Sequence, residues 1–209
     1  MLLGIAVSAS QATIVYQFTD GLADGWSNSG FGSTPIPTIS NIGGLNYMYL
    51  PIGGFQVGNV TTASSTIPGL QDAFLSAAAN PSAYAVTLDY YVNTALWTGA
   101  TYLQIGAFVN TGSGYYAQSY TPPYGVQLDG TAMASGQIFQ GTITIPFAAA
   151  GFAVPTTDTF FRLGLVENSN GSGSGVYFTN IGIVPEPGTM TLLGLSLAGG
   201  VAFLRRRNA

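Results

Sequence analysis

The stretch YAVTLDYYVN, residues Tyr84–Asn93, is the clearest indication of the fold class, because its side chains alternate between a largely apolar face and a more polar face. One face carries Tyr84, Val86, Leu88, Tyr90 and Val92, and the other carries Ala85, Thr87, Asp89, Tyr91 and Asn93. A repeat of two residues is the period of a β-strand, and one apolar face beside one more polar face is typical of an antiparallel sheet on a core. The stretch is therefore predicted to be a strand whose first face is buried.

Similar strand patterns lie on both sides of this stretch and are separated by turn residues. The further predicted strands are residues 13–18, 45–50, 55–62, 102–109, 125–129, 137–145, 160–167 and 176–184. The stretches 30–44, 110–123 and 168–175, rich in small and polar residues, are predicted loops. Only Leu70–Ala79 has a helical pattern, which Asn80 and Pro81 end. This spacing predicts an all-β antiparallel sandwich or jelly roll with one short helix.

Composition excludes several classes of function. Only 6% of the residues are charged, and Arg162 is the only basic residue before position 205, so the body lacks the basic patch that nucleic acid requires. Cysteine and histidine are both absent, which removes thiolate chemistry, the commonest general base and the commonest zinc ligand. A hydrophobic content of 47%, with twelve Tyr and twelve Phe, predicts a packed core.

The last part of the chain has three pieces in a fixed order. Pro185, Glu186 and Pro187 come first, an apolar run at about 188–204 follows, and Arg205, Arg206 and Arg207 stand just before the end. As a helix the run would measure roughly 25 Å, slightly less than the roughly 30 Å hydrocarbon core of a bilayer. Arginines at its end favour a cytoplasmic location for that end. This part is predicted to be a transmembrane helix that holds an exported body.

This order of motif, apolar helix and arginine cluster resembles the PEP-CTERM sorting signal of exported bacterial proteins. The resemblance implies recognition by an exosortase, a membrane transpeptidase-like protease, which processes the protein near the motif. Pro185, Glu186 and Pro187 would be the recognised residues, and Arg205–Arg207 the membrane stop. The resemblance also implies a Gram-negative bacterium that makes exopolysaccharide or biofilm matrix, with the protein held in the inner membrane before it reaches the surface. An ordinary C-terminal anchor is the alternative.

The first twelve residues, MLLGIAVSASQA, form a short apolar stretch that ends in small residues. Ser10, Gln11 and Ala12 fit the rule for signal-peptide cleavage, so this stretch is predicted to be part of a signal peptide read by the Sec export machinery. A buried first strand is the alternative. The predicted domains are a partial signal peptide at 1–12, a β-sandwich body at 13–184 and a sorting signal at 185–209.

The body itself resembles carbohydrate-binding-module or galactose-binding-like jelly rolls at its two ends, FTDGLADGW (18–26) and FRLGLVENSNGSGSGVYFTNIGI (161–183). Aromatic rings suit the apolar faces of sugars, because Trp and Tyr offer a flat apolar surface with a polar tip. The candidate glycan-binding residues are Tyr91, Trp97, Tyr115, Tyr116, Tyr120 and Tyr124. The alternative is that these tyrosines fill the edges of the sandwich, and Trp26 is predicted to be a core residue.

The resemblance also raises a structural calcium ion, since the last strand of such modules often carries an Asp-Asn pair near one. Thr179 and Asn180 stand at that place here, and calcium takes carboxylate and carbonyl oxygens. Asp20, Asp24 and Asn180 are the candidate ligands, with ordinary turn capping as the alternative. No other cofactor is predicted.

Three functions are compatible with these observations. The leading hypothesis is a non-enzymatic surface or matrix protein that an exosortase sorts, associated with exopolysaccharide or biofilm. The second is a true carbohydrate-binding module with a tyrosine-lined site. The third is an extracellular glycosidase that would use Asp89, although the carboxylates are widely scattered and glycoside hydrolysis needs two facing acids about 5 to 10 Å apart.

Overall fold

The strands of this chain form two six-stranded antiparallel sheets in a computed structural model that describes residues 13–28, 37–50, 55–112, 116–152, 156–173 and 175–186. In chain order the elements are β1 (Ile14–Tyr16), β2 (Ser27–Asn28), β3 (Thr38–Ile42), β4 (Leu45–Leu50), β5 (Phe55–Thr61), α1 (Leu70–Ala79), β6 (Tyr84–Asn93), β7 (Trp97–Thr98), β8 (Tyr102–Thr111), β9 (Tyr116–Ser119), β10 (Val126–Asp129), α2 (Gly130–Ala134), β11 (Ile138–Pro146), β12 (Phe161–Ser169), β13 (Ser172–Gly173) and β14 (Val176–Pro185).

The first sheet has the order β11-β6-β14-β4-β3, and β1 pairs with β14 beyond the end of β4. The second sheet has the order β10-β8-β12-β5-β2, and β9 pairs with β8 beyond the end of β10. A short pair, β7 with β13, stands apart from both sheets. The predicted antiparallel sandwich is confirmed.

The core lies between the two sheets and contains the predicted inner face of β6. Val86, Leu88 and Val92 are fully buried, whereas Thr87, Asp89 and Tyr91 on the other face stay partly exposed. Trp26 is buried as predicted, and its ring meets the Tyr16 ring edge-on at 5.5 Å between centroids. The period-two pattern thus identified which side of this strand faces the core, except that Tyr90 of the predicted inner face is partly exposed and Ala85 of the outer face is fully buried.

All three predicted loops contain strands, and the shortest is the two-residue β13 within 168–175. β3 lies within 30–44, where Gly43 and Gly44 turn the chain so that Thr38–Ile42 pairs with β4. β9 lies within 110–123 and pairs with β8. Composition suggested loops, but an edge strand needs only one neighbour for its backbone hydrogen bonds and tolerates small and polar residues. The short helix α2, which Asp129 caps by accepting the N–H of Ala132 at 2.9 Å, was not predicted either.

No helix among the described ranges is long and apolar enough to cross a membrane. The predicted transmembrane helix at about 188–204 and the arginine cluster at 205–207 lie outside the described residues, as do residues 1–12.

Candidate glycan-binding face

Four tyrosines lie together on the outer face of the first sheet, and we call them the tyrosine cluster: Tyr47, Tyr49, Tyr91 and Tyr177. Tyr177 of β14 pairs directly with Tyr49 of β4 on one side and with Tyr91 of β6 on the other. The ring centroids are 5.1 Å apart for Tyr49 and Tyr177, and 6.1 Å apart for Tyr91 and Tyr177. The pairing register therefore builds a row of three partly exposed rings across three strands.

Tyr47 extends this row because it lies two residues before Tyr49 on the same face of β4. Its ring centroid is 6.2 Å from that of Tyr91. Burial, followed by the charge of Asp89, raises the pKa of Tyr47. Burial also raises the pKa of Tyr177, with Tyr49 as the next cause. Both phenols accordingly stay protonated at neutral pH, where they offer hydroxyl donors beside apolar rings.

A network of polar side chains adjoins the tyrosine cluster and is centred on Asp89. The Thr142 hydroxyl donates to Asp89 Oδ1 at 2.5 Å, and Asn180 Nδ2 donates to Asp89 Oδ2 at 2.6 Å. Gln17 Nε2 in turn donates to Asn180 Oδ1 at 2.9 Å. The network joins β11, β6, β14 and the segment after β1, so it orients these polar groups on one surface.

Asn180 reaches Asp89 because β14 is irregular at this point. The pairing of β14 with β6 shifts register between Thr179 and Gly182. Asn180 has a positive φ of 49°, which asparagine tolerates better than most residues. The bulge inserts one residue into the strand and re-aims its side chain.

Three adjoining depressions run along this surface, and we call them together the trough. The first, of about 340 Å³, is lined by Leu45, Tyr47, Asp89, Tyr90, Gln140, Gly141 and Thr142. The second, of about 330 Å³, shares Leu45 and adds Gln17, Thr19, Asn41, Gly44, Asn46, Thr179 and Asn180. The third, of about 460 Å³, shares Gln17 and Thr19 with the second and reaches Asp20 and Asp24. The trough thus combines hydroxyls, amides and carboxylates with apolar side chains, among them Leu45, Val15 and Leu22.

The trough combines hydrogen-bonding groups with partly exposed rings, a combination that suits a sugar chain. Asp89 is the only carboxylate in its first two depressions, and both of its oxygens already accept hydrogen bonds. Glycoside hydrolysis needs a second facing acid. The described linings of these two depressions do not provide one.

The predicted calcium ligands line different depressions. Asp20 accepts the N–H of Leu22 at 2.9 Å, and Asp24 accepts the Thr66 hydroxyl at 3.4 Å. Burial, followed by the charge of Asp20, raises the pKa of Asp24. Asn180 lies in the second depression with both amide atoms engaged. Within the described part of the chain, no three acidic side chains group together as metal ligands.

The other predicted glycan-binding residues are not gathered at the tyrosine cluster. Trp97 is only 8% exposed and belongs to the core. Tyr120 and Tyr124 are partly exposed beyond β9, and Tyr124 packs against the core. Tyr115 and the side chain of Tyr116 lie outside the described residues. Of the predicted set, only Tyr91 is part of the tyrosine cluster.

Sequence reasoning missed Tyr47, Tyr49 and Tyr177. Tyr47 and Tyr49 share one face of LNYMYL, and Tyr177 lies between the buried residues Val176 and Phe178. Each therefore carried the signal of an outward-facing aromatic in a strand. The sequence did not show that β4, β14 and β6 are neighbours.

The comparisons with known proteins concern two parts of the chain, the C-terminal motif and the β-sandwich body. The family model for the PEP-CTERM protein-sorting motif matches residues 184–207. The chain therefore carries this sorting motif, which marks an exported, surface-directed protein. No curated protein sequence matches the chain significantly.

The structural neighbours of the body are carbohydrate-binding-module β-sandwiches. One is CBM28, described as a non-crystalline cellulose specific carbohydrate-binding module, with 16% identity and a TM-score of 0.55 over 79% of this chain and 91% of that one. Another is CBM27-1 of Caldicellulosiruptor saccharolyticus, in complex with mannohexaose, with 14% identity and a TM-score of 0.48 over 83% and 97% of the two chains. A third is the family 11 module of Clostridium thermocellum, in complex with a β-1,3-1,4-mixed-linked tetrasaccharide, with 11% identity and a TM-score of 0.47 over 84% and 97%. The match to CBM28 shows that the body has a β-sandwich fold like that of this module.

Proposed function

We propose that this chain is an exported, non-enzymatic surface or matrix protein that an exosortase sorts and whose body binds a polysaccharide. The tyrosine cluster beside the trough is the observation that carries the proposal. It offers a row of rings across three strands and oriented polar groups next to them. The likeness of the body to CBM28 supports this use of the fold, and the motif at 184–207 supports the sorting step.

The polysaccharide would lie along the outer face of the first sheet. Its apolar ring faces would contact Tyr177 and its neighbours, and its hydroxyls would bond the Gln17, Asn180 and Thr142 side chains. Fixed side chains lose little rotamer freedom on binding, which lowers the entropic cost. An exopolysaccharide of the producing cell is the ligand class we propose, because a sorted surface protein meets that polymer first.

We expect Tyr177→Ala to weaken binding of a soluble polysaccharide by roughly 5- to 30-fold, because truncating a central aromatic contact typically costs about 1 to 2 kcal/mol. Tyr91→Ala should act in the same direction. Affinity electrophoresis against a panel of neutral and acidic polysaccharides, followed by calorimetry on the best ligand, would measure the loss.

Tyr120→Ala is the matched control, since this partly exposed tyrosine lies beyond β9 on the second sheet. It should leave affinity unchanged, and Tyr177→Phe should retain most of it. Binding that disappears with Tyr120→Ala but survives Tyr177→Ala would place the site on the loops and contradict the proposal. Release of reducing sugar by the wild-type protein, abolished in Asp89→Asn, would instead indicate a glycosidase.

The sorting step predicts that the protein recovered from the surface of its producing cells lacks the apolar tail. Its intact mass should correspond to loss of residues 188–209, with a new end near Pro185–Pro187. Recovery of the full-length chain, still ending in Arg205–Arg207 and the last two residues, would indicate a permanent anchor and refute processing.

A further inference from the structure

The sorting motif begins inside the folded body. Pro185 is the last residue of β14 and pairs with Tyr84 of β6. One residue further on, the backbone N–H of Glu186 donates to the carbonyl oxygen of Ala83 at 2.8 Å. Pro185 and Glu186 are both only partly exposed. Pro185 is therefore paired with the sheet, and Glu186 is bonded to Ala83, the residue just before β6.

The strand that leads into the motif is held on both edges. Ile183 pairs with Val86 of β6 on one side and with Ile14 of β1 on the other, and its side chain is fully buried. Gly182 passes so close to β1 that a Cβ at this position would lie 2.0 Å from the Ile14 carbonyl oxygen. Release of Gly182 and Ile183 would therefore disrupt the core, so we expect local opening at this end of the chain to involve only Val184, Pro185 and Glu186.

A protease that binds its substrate as an extended strand needs free backbone groups on both sides of the bond it cuts. At this place Pro185 has no N–H to offer, and the N–H of Glu186 is already bonded to Ala83. For a protease to bind the bonds on either side of Pro185, Pro185 must first separate from Tyr84 of β6, and the hydrogen bond from Glu186 to Ala83 must break. Within the described part of the chain, Glu186 is the last residue that makes such a backbone contact.

We propose that the folded body shields the Val184–Pro185 and Pro185–Glu186 bonds, so that processing leaves Glu186 on the body. This inference rests on the proposed sorting by an exosortase. In the step, a nucleophile attacks the carbonyl carbon of Glu186 or a later residue and the C–N bond breaks. The departing amine takes up a proton, and the acyl group passes to water or to an acceptor amine.

The shielding can be measured without an exosortase, because the motif contains two prolines two residues apart. The full-length protein in detergent is treated with an endopeptidase that cuts after proline, and the new C-terminal ends are followed by mass spectrometry. Cutting after Pro185 should be at least roughly tenfold slower than cutting after Pro187, because it requires local opening. Equal rates at the two bonds of the native protein would overturn the inference.

Two insertions of the same four residues provide a matched pair. Gly-Ser-Gly-Ser placed between Val184 and Pro185 detaches the motif, so the difference between the two bonds should disappear. The same insertion between Glu186 and Pro187 leaves the β6 contacts intact, so the protection after Pro185 should remain. Protection that survives the first insertion would show that the sheet is not its cause.

The product made in the producing cells tests the inference on the natural enzyme. A surface form that ends at Glu186 or later supports shielding, whereas one that ends at Val184 or Pro185 overturns it. If cells yield only the full-length chain while the Pro185–Glu186 bond is protected in vitro, the sorting proposal fails and the shielding stands.

Discussion

Raising the pH from about 5 to about 9 is expected to lower the free energy of unfolding by about 3 to 5 kcal/mol through one side chain, Glu167. Glu167 is fully buried in β12, and neither carboxyl oxygen has a hydrogen-bond partner among the residues that the structure describes. It lies on the core-facing side of the strand with Leu163 and Leu165. An ionised carboxylate there would be costly, because charge is poorly solvated in an apolar interior.

The direction of this effect follows from the pKa of Glu167. Burial raises it from 4.5 to about 8, and the nearby Ser169 hydroxyl, which lies outside hydrogen-bonding geometry, lowers it only in part. Below the unfolded value both states carry the proton, so stability is greatest there. Between the two values only the folded state keeps the proton, and stability falls by about 1.4 kcal/mol per pH unit until it levels off above the folded pKa.

Glu167→Gln should remove most of this pH dependence, because an amide resembles the protonated acid in shape and does not ionise. Denaturant unfolding of both proteins across this pH range would measure the two slopes. Asp72→Asn, at an exposed carboxylate on α1, is the control and should leave the slope unchanged. Identical slopes for wild type and Glu167→Gln would show that Glu167 is not the responsible group.

Phe74→Ala is expected to lower the free energy of unfolding by about 3 to 5 kcal/mol, the usual cost of removing a large buried aromatic ring. The Phe74 ring on α1 is fully buried and stacks on Phe161 of β12, with 5.0 Å between centroids and 10° between planes. It also meets Phe147, just after β11, edge-on at 6.3 Å. Since β12 and β11 belong to different sheets, this ring bridges the two layers of the sandwich.

The control for this change is Gln71→Ala on the exposed side of the same helix, which should alter stability by no more than about 0.5 kcal/mol. Urea unfolding at constant pH would compare the three proteins, with an unchanged dependence on denaturant as the check that unfolding stays two-state. A loss below about 1 kcal/mol for Phe74→Ala would mean that the site collapses around the missing ring.

Much of the fold could be predicted from local patterns. The alternation in Tyr84–Asn93 identified the buried face of β6, because that face is a property of one strand. Leu70–Ala79 was recognised as the helix from its pattern and from the proline that follows it. β3 and β9 were missed because they exist through pairing with β4 and β8, which local composition does not report.

From the sequence one could predict that the candidate site is an aromatic surface, but not most of the residues that form it. The abundance of tyrosine indicated an aromatic binding surface, and Tyr91 was among the predicted residues. Trp97 looked suitable from its place beside a turn, yet its ring is in the core. Five of the six predicted residues lie in or beside predicted loops, whereas the tyrosine cluster lies on strands. Its members come from β4, β6 and β14, whose adjacency depends on which strands pair.

Local sequence patterns were enough to predict that the chain is built of antiparallel strands and that its last part carries a sorting motif, which the match at residues 184–207 confirms. Both features are local in the sequence. The strands are marked by a period of two residues, and the sorting motif is a contiguous stretch. The folded chain was needed to see that Tyr49, Tyr177 and Tyr91 form one row, that Pro185 pairs with β6, and that Glu186 bonds to Ala83 just before it. The physical reason is that strand register is set by hydrogen bonds and packing between segments far apart in the chain, and no local pattern specifies those partners.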